Sequence, residues 1–192
     1  MEGGNKMAAQ LSRELINKAM KLAKGKWQRL MLKYGVWKLQ GSAATWRASY
    51  RVSLESLAYR LRKEGIPAIA FRQGYHLCLV FGDDFVSLYR RMDELRDDAI
   101  RAHVDIVKLT ENNRKLDKLI RKHRLRSRLR SFIIACDHVA YDIAYFNGNA
   151  VEYLLKNDGE SAQGEYNRAA RCVEVLEREW EELSRLVSTL FI

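Results

Sequence analysis

Basic side chains are densest in residues 113–130, which carry nine Lys or Arg and a single acid, Asp117. Arg and Lys donate charge-assisted hydrogen bonds to phosphate oxygens, and Arg can do so with two N–H groups at once. A run this dense repels itself, and a polyphosphate backbone relieves that repulsion. The stretch contains no aromatic residue, so contact with a duplex or its backbone is favoured over stacking on single-stranded bases.

We therefore predict that this stretch contacts nucleic-acid phosphates, with DNA favoured over RNA. Arg becomes more frequent than Lys toward the C-terminal end of the stretch, which suits bidentate phosphate contacts. The predicted contact residues are Arg121, Lys122, Arg124, Arg126, Arg128 and Arg130.

Other reactive side chains do not assemble into a recognisable site. Cys136, Asp137 and His138 are adjacent in sequence, but on a helix the cysteine would lie on an apolar seam while its neighbours point elsewhere. His76 and Cys78 would share one face of a strand, yet no second pair completes the four ligands of a structural zinc site. The phosphate-binding, dinucleotide-binding and zinc-protease motifs are also missing. The sequence therefore predicts no catalytic residue, metal or cofactor, and does not indicate an enzyme.

Charge is distributed in blocks along the 192-residue chain, whose net charge is +10. Residues 1–82 carry 15 Lys or Arg against 4 acids, whereas residues 131–192 carry 5 against 11. Blocks of one sign are typical of proteins with a polyanionic partner. Two alternatives remain: the cations keep the protein soluble, or the basic stretch pairs with the acidic C-terminal helix.

The cysteines and apolar runs bear on the compartment. Three cysteines, an odd number, occur without a C-x-x-C pair, which is typical of free thiols in a reducing environment. The first residues lack the apolar core of a secretion signal. The longest apolar runs are also far shorter than the ~20 residues of a membrane-spanning helix. We therefore expect a cytoplasmic protein with no membrane partner.

The N-terminal part of the chain, residues 1–82, is predicted to be a basic module of short helices and a β-hairpin. Between residues 7 and 39, apolar side chains recur every three or four positions, with an interruption at Gly25. This spacing predicts two short helices. Lys and Arg fill the intervening positions, so their outer face would be cationic.

A third helix and two strands are predicted to follow. Ser53 has the character of a helix N-cap, and Gly65 ends the helix because Pro67 prevents its continuation. Alternating residues in 68–72 and 75–81 then predict two strands joined by a short turn.

The run Trp46–Ile66 resembles the helix, turn and recognition helix of helix-turn-helix proteins, and the hairpin after it resembles the wing of the winged variety. Val52, Leu57 and Leu61 stand where that motif has apolar residues, whereas Arg51 stands where the family usually has Gly. The resemblance implies that an exposed face enters the DNA major groove while flanking arginines reach phosphates. The contact residues that it implies are Arg51, Ser56, Tyr59, Arg60, Lys63 and Arg72.

The start of that run also permits a second interpretation. Trp46, Ala48, Tyr50 and Val52 alternate with other residues, which predicts a strand. Strand, helix and hairpin would then form a β-α-β-β unit that implies no particular function. Both interpretations remain open.

Residues 83–192 have the periodicity of long helices. From Phe85 to Ile120 the spacing is that of a coiled-coil seam, and Asn113 on this seam is predicted to fix register by pairing with its counterpart. An intramolecular antiparallel bundle, or a homodimer through the Phe85–Ile120 seam, would bury the apolar positions. The predicted helices lie at about 84–122, 125–156 and 164–190.

The first two apolar seams differ in phase by about two residues, and the slip falls at Arg121–Arg124. A bend, a turn or a change of partner is expected there. Since no Gly, Pro or Asn marks a tight turn, a bent helix is slightly favoured over a hairpin tip. The arginines are predicted to be exposed at this point; sequestration by Glu174–Glu182 would instead make the region an internal clamp.

The predicted fold is mainly α with a small β-hairpin. A basic α/β N-terminal module, with a winged helix as one form, precedes a long coiled coil or antiparallel helical bundle. The predicted function is that of a non-enzymatic nucleic-acid-binding regulatory or accessory protein, dimerised by its helical region. The alternative is a helical adaptor or inhibitor that binds an acidic protein surface.

Overall fold

The structure, a computed structural model, describes residues 11–38, 44–111 and 113–190. The expectation about a secretion signal concerns residues outside these ranges. The described chain confirms a mainly helical protein with a small antiparallel sheet. Its elements are α1 (Arg13–Leu22), α2 (Lys26–Tyr34), β1 (Val36–Lys38), α3 (Ala44–Lys63), β2 (Ala68–Gln73), β3 (His76–Phe81), α4 (Asp83–Thr110), α5 (Arg114–Lys122), α6 (Leu125–Leu155) and α7 (Gly159–Leu190).

The chain divides into two compact units, each drawn from two stretches of sequence. The first unit takes its described residues from 1–89 and 141–169, and the second from 90–140 and 170–192. The boundary predicted from the sequence, between residues 82 and 83, therefore differs from the division into structural units, because residues 141–169 belong to the same unit as the N-terminal elements.

The first unit is organised around β3, which is the central strand of the order β1-β3-β2. Leu77, Leu79 and Phe81 alternate along one face and join a core built with α1, α2 and α3. Cys78 and Val80 are buried on the opposite face. A strand that is buried on both faces must be apolar throughout, and the sequence Leu-Cys-Leu-Val-Phe meets that requirement.

The β2–β3 hairpin confirms the two predicted strands. Its antiparallel register runs from Ala68 opposite Phe81 to Gln73 opposite His76, which leaves a two-residue turn. Gly74 in that turn has φ +54°, a conformation that glycine adopts without steric cost.

Strand β1 was not predicted, because Trp37 appeared to continue the apolar period of α2. The helix instead ends at Gly35, whose φ is +68° and whose N–H donates to the Met31 carbonyl at 2.9 Å. Val36 then lies opposite Cys78 in the β1–β3 ladder. The left-handed residue therefore redirects the chain from helix into sheet.

Asn147 and Gly148 fix α6 against the sheet and the end of α2. Asn147 is fully buried; its side-chain amide accepts from the Phe81 N–H at 3.1 Å and donates to the Phe81 carbonyl at 3.0 Å. A Cβ on Gly148 would overlap the backbone carbonyl of Tyr34, and one on Gly35 would overlap the carbonyl of Ala144. The two backbones can therefore approach this closely only with glycine at both positions.

Helix α3 corrects both interpretations of the run Trp46–Ile66. Ala44–Lys63 is a single helix of 20 residues, so the turn expected at Arg51 and the strand expected at residues 46–52 are both wrong. Without Gly at position 51, nothing in the sequence interrupts the helix there. The winged helix-turn-helix arrangement is not confirmed.

The second unit is a bundle of parts of α4, α6 and α7 together with α5. Helices α4 and α6 run antiparallel, as shown by Arg96 with Asp137 at 3.5 Å and His103 with Arg130 at 3.3 Å. Helix α7 packs beside both: the Phe132 and Trp180 rings are 5.4 Å apart. Arg91 of α4 forms an ion pair with Glu177 at 2.6 Å.

The long helix predicted at residues 84–122 is interrupted once, and a second break separates it from the next predicted helix. Helix α4 stops at Thr110, whose hydroxyl donates to the Ile106 carbonyl at 2.8 Å. Asn113 then caps α5 by accepting from the Leu116 N–H at 3.1 Å, so its predicted role as a paired seam residue is wrong. The slip predicted at Arg121–Arg124 is a real break: α5 ends, Arg124 adopts φ +50°, and α6 begins.

Most of the predicted Phe85–Ile120 seam is buried within the single chain. Leu109, which is 50% exposed, and Asn113 are exposed, and Leu95, Ala102 and Leu116 are half-buried. A coiled coil is not confirmed, whereas a helical bundle is. No helix in the described ranges is both long and apolar enough to cross a membrane. The buried seam positions are Phe85, Leu88, Met92, Ala99, Ile106 and Ile120.

We expect Asn147→Ala to lower the free energy of unfolding by about 3 kcal/mol, because it leaves the buried Phe81 N–H and carbonyl without partners. Chemical denaturation followed by circular dichroism measures this. The matched control is Asn167→Ala on the exposed side of α7, which should change stability by less than about 0.5 kcal/mol. Equal effects of the two substitutions would contradict the assigned role of Asn147.

Candidate nucleic-acid interface

The basic stretch lies where the second unit reverses direction, between α4 and α6. We call residues 114–130 the basic tip; it consists of α5, the break at His123 and Arg124, and the first turns of α6. Eight of its nine Lys and Arg side chains are exposed, and Arg126 is half-buried. The exposure predicted for this region from its charge is therefore what the structure shows.

Residues 124–127 and 128–131 are two consecutive copies of the sequence Arg-Leu-Arg-Ser. Four residues are close to one helical turn, so corresponding positions of the two copies lie nearly above one another. Leu125 and Leu129 are both fully buried and anchor the helix. The two arginines of each copy therefore leave the helix in different directions.

Arg126 and Arg130, the second arginine of each copy, are directed toward α4. Arg126 donates to the Thr110 hydroxyl and lies 3.4 Å from the Asp117 carboxylate. Arg130 donates to Nε2 of His103 at 3.3 Å. These two predicted contact residues therefore join α6 to α4 and α5.

Arg124 and Arg128, the first arginine of each copy, are exposed on another face. Within the described ranges, no carboxylate lies within 4.0 Å of either guanidinium or of Lys122. Arg121 differs, because it forms an ion pair with Asp117 at 2.8 Å. Like Arg124, Arg128 and Lys122, the side chains of Arg114, Lys115 and Lys118 have no carboxylate within 4.0 Å among the described residues.

The C-terminal glutamates do not sequester the tip. Glu177 pairs with Arg91 at 2.6 Å and Glu181 with Arg185 at 3.4 Å. An open cleft of about 640 Å³ separates the exposed arginines from the other glutamates of α7. Its polar lining consists of Arg124, Ser127, Arg128, Ser131, Glu179 and Glu182.

The backbone adds to the positive potential of the tip. The first turn of α6 contains no acid, although acids are favoured at that position by the helix dipole. The first N–H groups of a helix have no intrahelical partners and present a partial positive charge. Cationic side chains and a helix N-terminus therefore coincide at Arg124, which favours an anion there.

His103 is held in its neutral form beneath the tip. Burial lowers its pKa from the ordinary value of 6.5, and Arg130 and Arg126 lower it further. Because Arg130 donates to Nε2, that nitrogen must be the unprotonated one. Protonation of His103 would remove the acceptor and place a third cation beside two arginines.

The predicted contact residues of the N-terminal module divide into structural and exposed groups. The Arg60 guanidinium donates to the Leu22 carbonyl, the Ser56 hydroxyl and Oε1 of Gln28, at 3.0, 2.8 and 2.6 Å. Gln28 is only 4% exposed and donates in turn to the Ser53 carbonyl at 2.7 Å. Arg60 therefore links α3 to α1 and α2, and Ser56 orients it from one turn earlier in α3, a use that sequence periodicity did not reveal.

The other four predicted residues of this module are exposed. Arg51 pairs with Glu55 at 2.8 Å, and Arg72 donates to the Gly74 carbonyl at 2.7 Å. Tyr59 is 61% exposed, and Lys63 is exposed near it on α3. These residues do not converge on one constellation in the way that the residues of the tip do.

Chemistry other than charge is sparse in the described ranges. They contain no group of three or more His, Cys, Asp or Glu side chains that could hold a metal ion. Burial raises the pKa of Cys78 and of Cys136 to about 12, so both are neutral thiols and weak nucleophiles at physiological pH. Cys136 lies in the core, as its position on the apolar seam predicted.

No protein-family model, curated protein or solved structure matches the chain.

The sequence already contained a pattern that separates the arginines of the tip into two groups. The Arg-Leu-Arg-Ser repeat separates an arginine that faces α4 from one that faces outward. Charge density alone treated all of these arginines as equivalent. Among the predicted contact residues of the tip, Lys122, Arg124 and Arg128 are therefore the ones to which the described residues provide neither an ion pair nor a side-chain hydrogen bond.

We expect the protein to lose stability as the pH falls below about 6.5, because His103 has a lower pKa folded than unfolded. A group of this kind contributes stability above the unfolded pKa and costs stability below it. Urea midpoints at about pH 7.5 and about pH 5.5 measure the loss, and His103→Gln should reduce it. The control His138→Gln, at an exposed position, should leave the pH dependence unchanged; a reduction of the same size there would contradict this account.

Proposed function

We propose that the protein is a non-enzymatic nucleic-acid-binding protein, with duplex DNA as the favoured ligand and the basic tip as the contact surface. The observation that carries the proposal is the exposure of eight of nine cations in a segment whose single acid is Asp117. Asp117 is engaged by Arg121 and Arg126. The remaining cations repel one another without a counterion among the described residues, and a phosphate backbone would supply one.

Binding of this kind reads the backbone rather than the bases. Arg124 and Arg128 offer planar guanidinium groups that fit phosphate oxygens, and Lys122 adds a point charge. The tip lacks aromatic residues, and stacking on aromatic side chains is the usual means of holding single-stranded bases. We therefore expect sequence-tolerant affinity for duplexes that depends steeply on salt.

The first unit offers a second, weaker contact surface. Its α1 and α2 helices expose several cations, and the outer face of α3 exposes Tyr59 and Lys63. A contribution through α3, like that of the recognition helix implied by the winged helix-turn-helix resemblance, is part of the proposal but not its basis. The exposed cations of α1, α2 and the link between them are Arg13, Lys18, Lys21, Lys24, Lys26 and Arg29.

An acidic protein surface is the second candidate partner, and the cleft beside the tip favours it. The cleft combines Arg124 and Arg128 with Glu179 and Glu182, and Phe132 contributes an apolar wall. Mixed charge next to apolar surface is more typical of protein interfaces than of phosphate sites. A pull-down that survives nuclease treatment, from protein without nucleic-acid affinity, would support this candidate.

We expect the protein to bind a fluorescent DNA duplex with an affinity that falls steeply between about 50 and about 200 mM salt. Fluorescence anisotropy titrations at several salt concentrations measure both affinity and slope. The triple substitution Lys122→Gln, Arg124→Gln and Arg128→Gln should weaken binding and reduce the slope by up to about 3, because each lost phosphate contact removes nearly one unit.

The matched control carries the same loss of charge in the first unit, through Lys21→Gln, Lys24→Gln and Arg29→Gln. We expect it to retain most of the affinity and slope. Absence of binding at low salt, or a larger effect from the control than from the tip variant, would contradict the proposal. Duplex RNA and single-stranded DNA of equal length establish the ligand preference.

Arg124→Gly separates function from stability. Residue 124 has φ +50°, which costs an L-residue about 1 kcal/mol and costs glycine little. We therefore expect unchanged or higher stability in urea denaturation together with weaker DNA binding. Arg128→Gln, at an ordinary helical position, should weaken binding without stabilising; unchanged DNA affinity of Arg124→Gly would exclude Arg124 from the interface.

A further inference from the structure

A groove along α4 and α7 in the second unit is a surface feature that the basic tip does not explain. Its volume is about 620 Å³ and its apolar lining comprises Ala102, Leu109, Trp180 and Val187. Leu109 is 50% exposed, which is unusual for a leucine that lies on an otherwise buried seam. Exposed apolar surface bordered by charges is typical of an interaction site.

The charges that border this groove follow a definite order along α4. Asp98, Arg101, Asp105 and Lys108 all line it, with spacings of three, four and three residues. These spacings place the four side chains on one face of the helix. The face therefore presents acid, base, acid and base in sequence, and Arg101 also pairs with Asp98 of its own chain.

We propose that this face binds a second copy of the chain, with the two α4 helices antiparallel about a two-fold axis near residue 103. In that register Asp98 of one copy lies opposite Lys108 of the other, and Arg101 lies opposite Asp105. The two-fold axis repeats both of these facing pairs, so the interface contains four of them, and each joins unlike charges. The order of charges is complementary to its own reverse, which favours a second copy as the occupant of the groove.

The parallel arrangement is disfavoured by the same residues. In register it would place Arg101 against Arg101 and Asp105 against Asp105, so every opposition would join like charges. It would also bring the two basic tips side by side, because the tip follows the C-terminal end of α4 in the chain. The antiparallel arrangement places them at opposite ends of the pair, where their repulsion is screened.

Leu109 contributes the apolar part of the contact. Trp180 lies beside Phe132, close along α6 to Arg130, which contacts His103. Trp180 is therefore near the proposed axis, and the antiparallel register carries the second copy's Leu109 toward it. This interface uses the exposed face of α4, whereas the Met92, Ala99 and Ile106 positions of the seam are already buried.

Sedimentation equilibrium of the full chain, without nucleic acid, tests the proposal over micromolar to submillimolar concentrations. We expect a reversible monomer–dimer equilibrium in the wild type. Arg101→Glu and Asp105→Arg should each weaken the dimer about tenfold or more, because each converts two attractive oppositions into repulsive ones. The combined variant Arg101→Glu with Asp105→Arg should recover the dimer, which also shows that the single variants fold.

Leu109→Glu should abolish dimerisation, and Ile134→Glu is its matched control. Ile134 is 55% exposed, on α6 of the same unit, and does not line the groove. We expect this control to dimerise like the wild type. A monomeric wild type at all concentrations, failure of the combined variant to recover the dimer, or equal effects of the two Glu substitutions would each overturn the proposal. None of these outcomes depends on whether the basic tip binds nucleic acid.

Discussion

Asn147 and Gly148 are the point on which the first unit depends. Asn147 satisfies both backbone groups of Phe81, the last residue of β3, and Gly148 admits the backbone of Tyr34 and Gly35. Buried backbone groups at the end of a central strand must find partners. A side-chain amide, which carries both an N–H donor group and a carbonyl acceptor, satisfies both at once. Residues distant in sequence are thereby fixed to the N-terminal module.

At the start of α6, a four-residue sequence repeat allows leucines to be buried while the neighbouring arginines remain outside the core. Leu125 and Leu129 are buried, while the arginines between them point to α4 or to solvent. A period of four residues drifts slowly around the helix, so two copies keep their faces but a longer repeat would not. The result is a positively charged surface that is held by buried leucines, by contacts of Arg126 and Arg130 with α4, and by the single acid Asp117.

Much of the fold follows from local patterns, and the failures have identifiable causes. The hairpin was predictable because two short runs of strand-forming residues flank Gly74, although β3 is apolar from Leu77 onward and does not alternate. The break at Asn113 was missed because an apolar seam can continue across an interruption; the capping bond to Leu116, not the seam, determines the local structure. The contacts of Arg60 with Gln28 and the Leu22 carbonyl join distant segments, which no single-helix pattern contains.

The start of α6 argues for an external anion more strongly than the net charge does. If the tip served stability alone, an acid would be favoured in the first turn of the helix, where the dipole stabilises negative charge. The chain instead places arginine there and holds Arg124 in a left-handed conformation that costs free energy. Both features are unfavourable in the isolated chain, and a phosphate group at the helix N-terminus would offset the first of them. Under the proposed function, the start of α6 is therefore a position at which a phosphate would compensate for the missing acid.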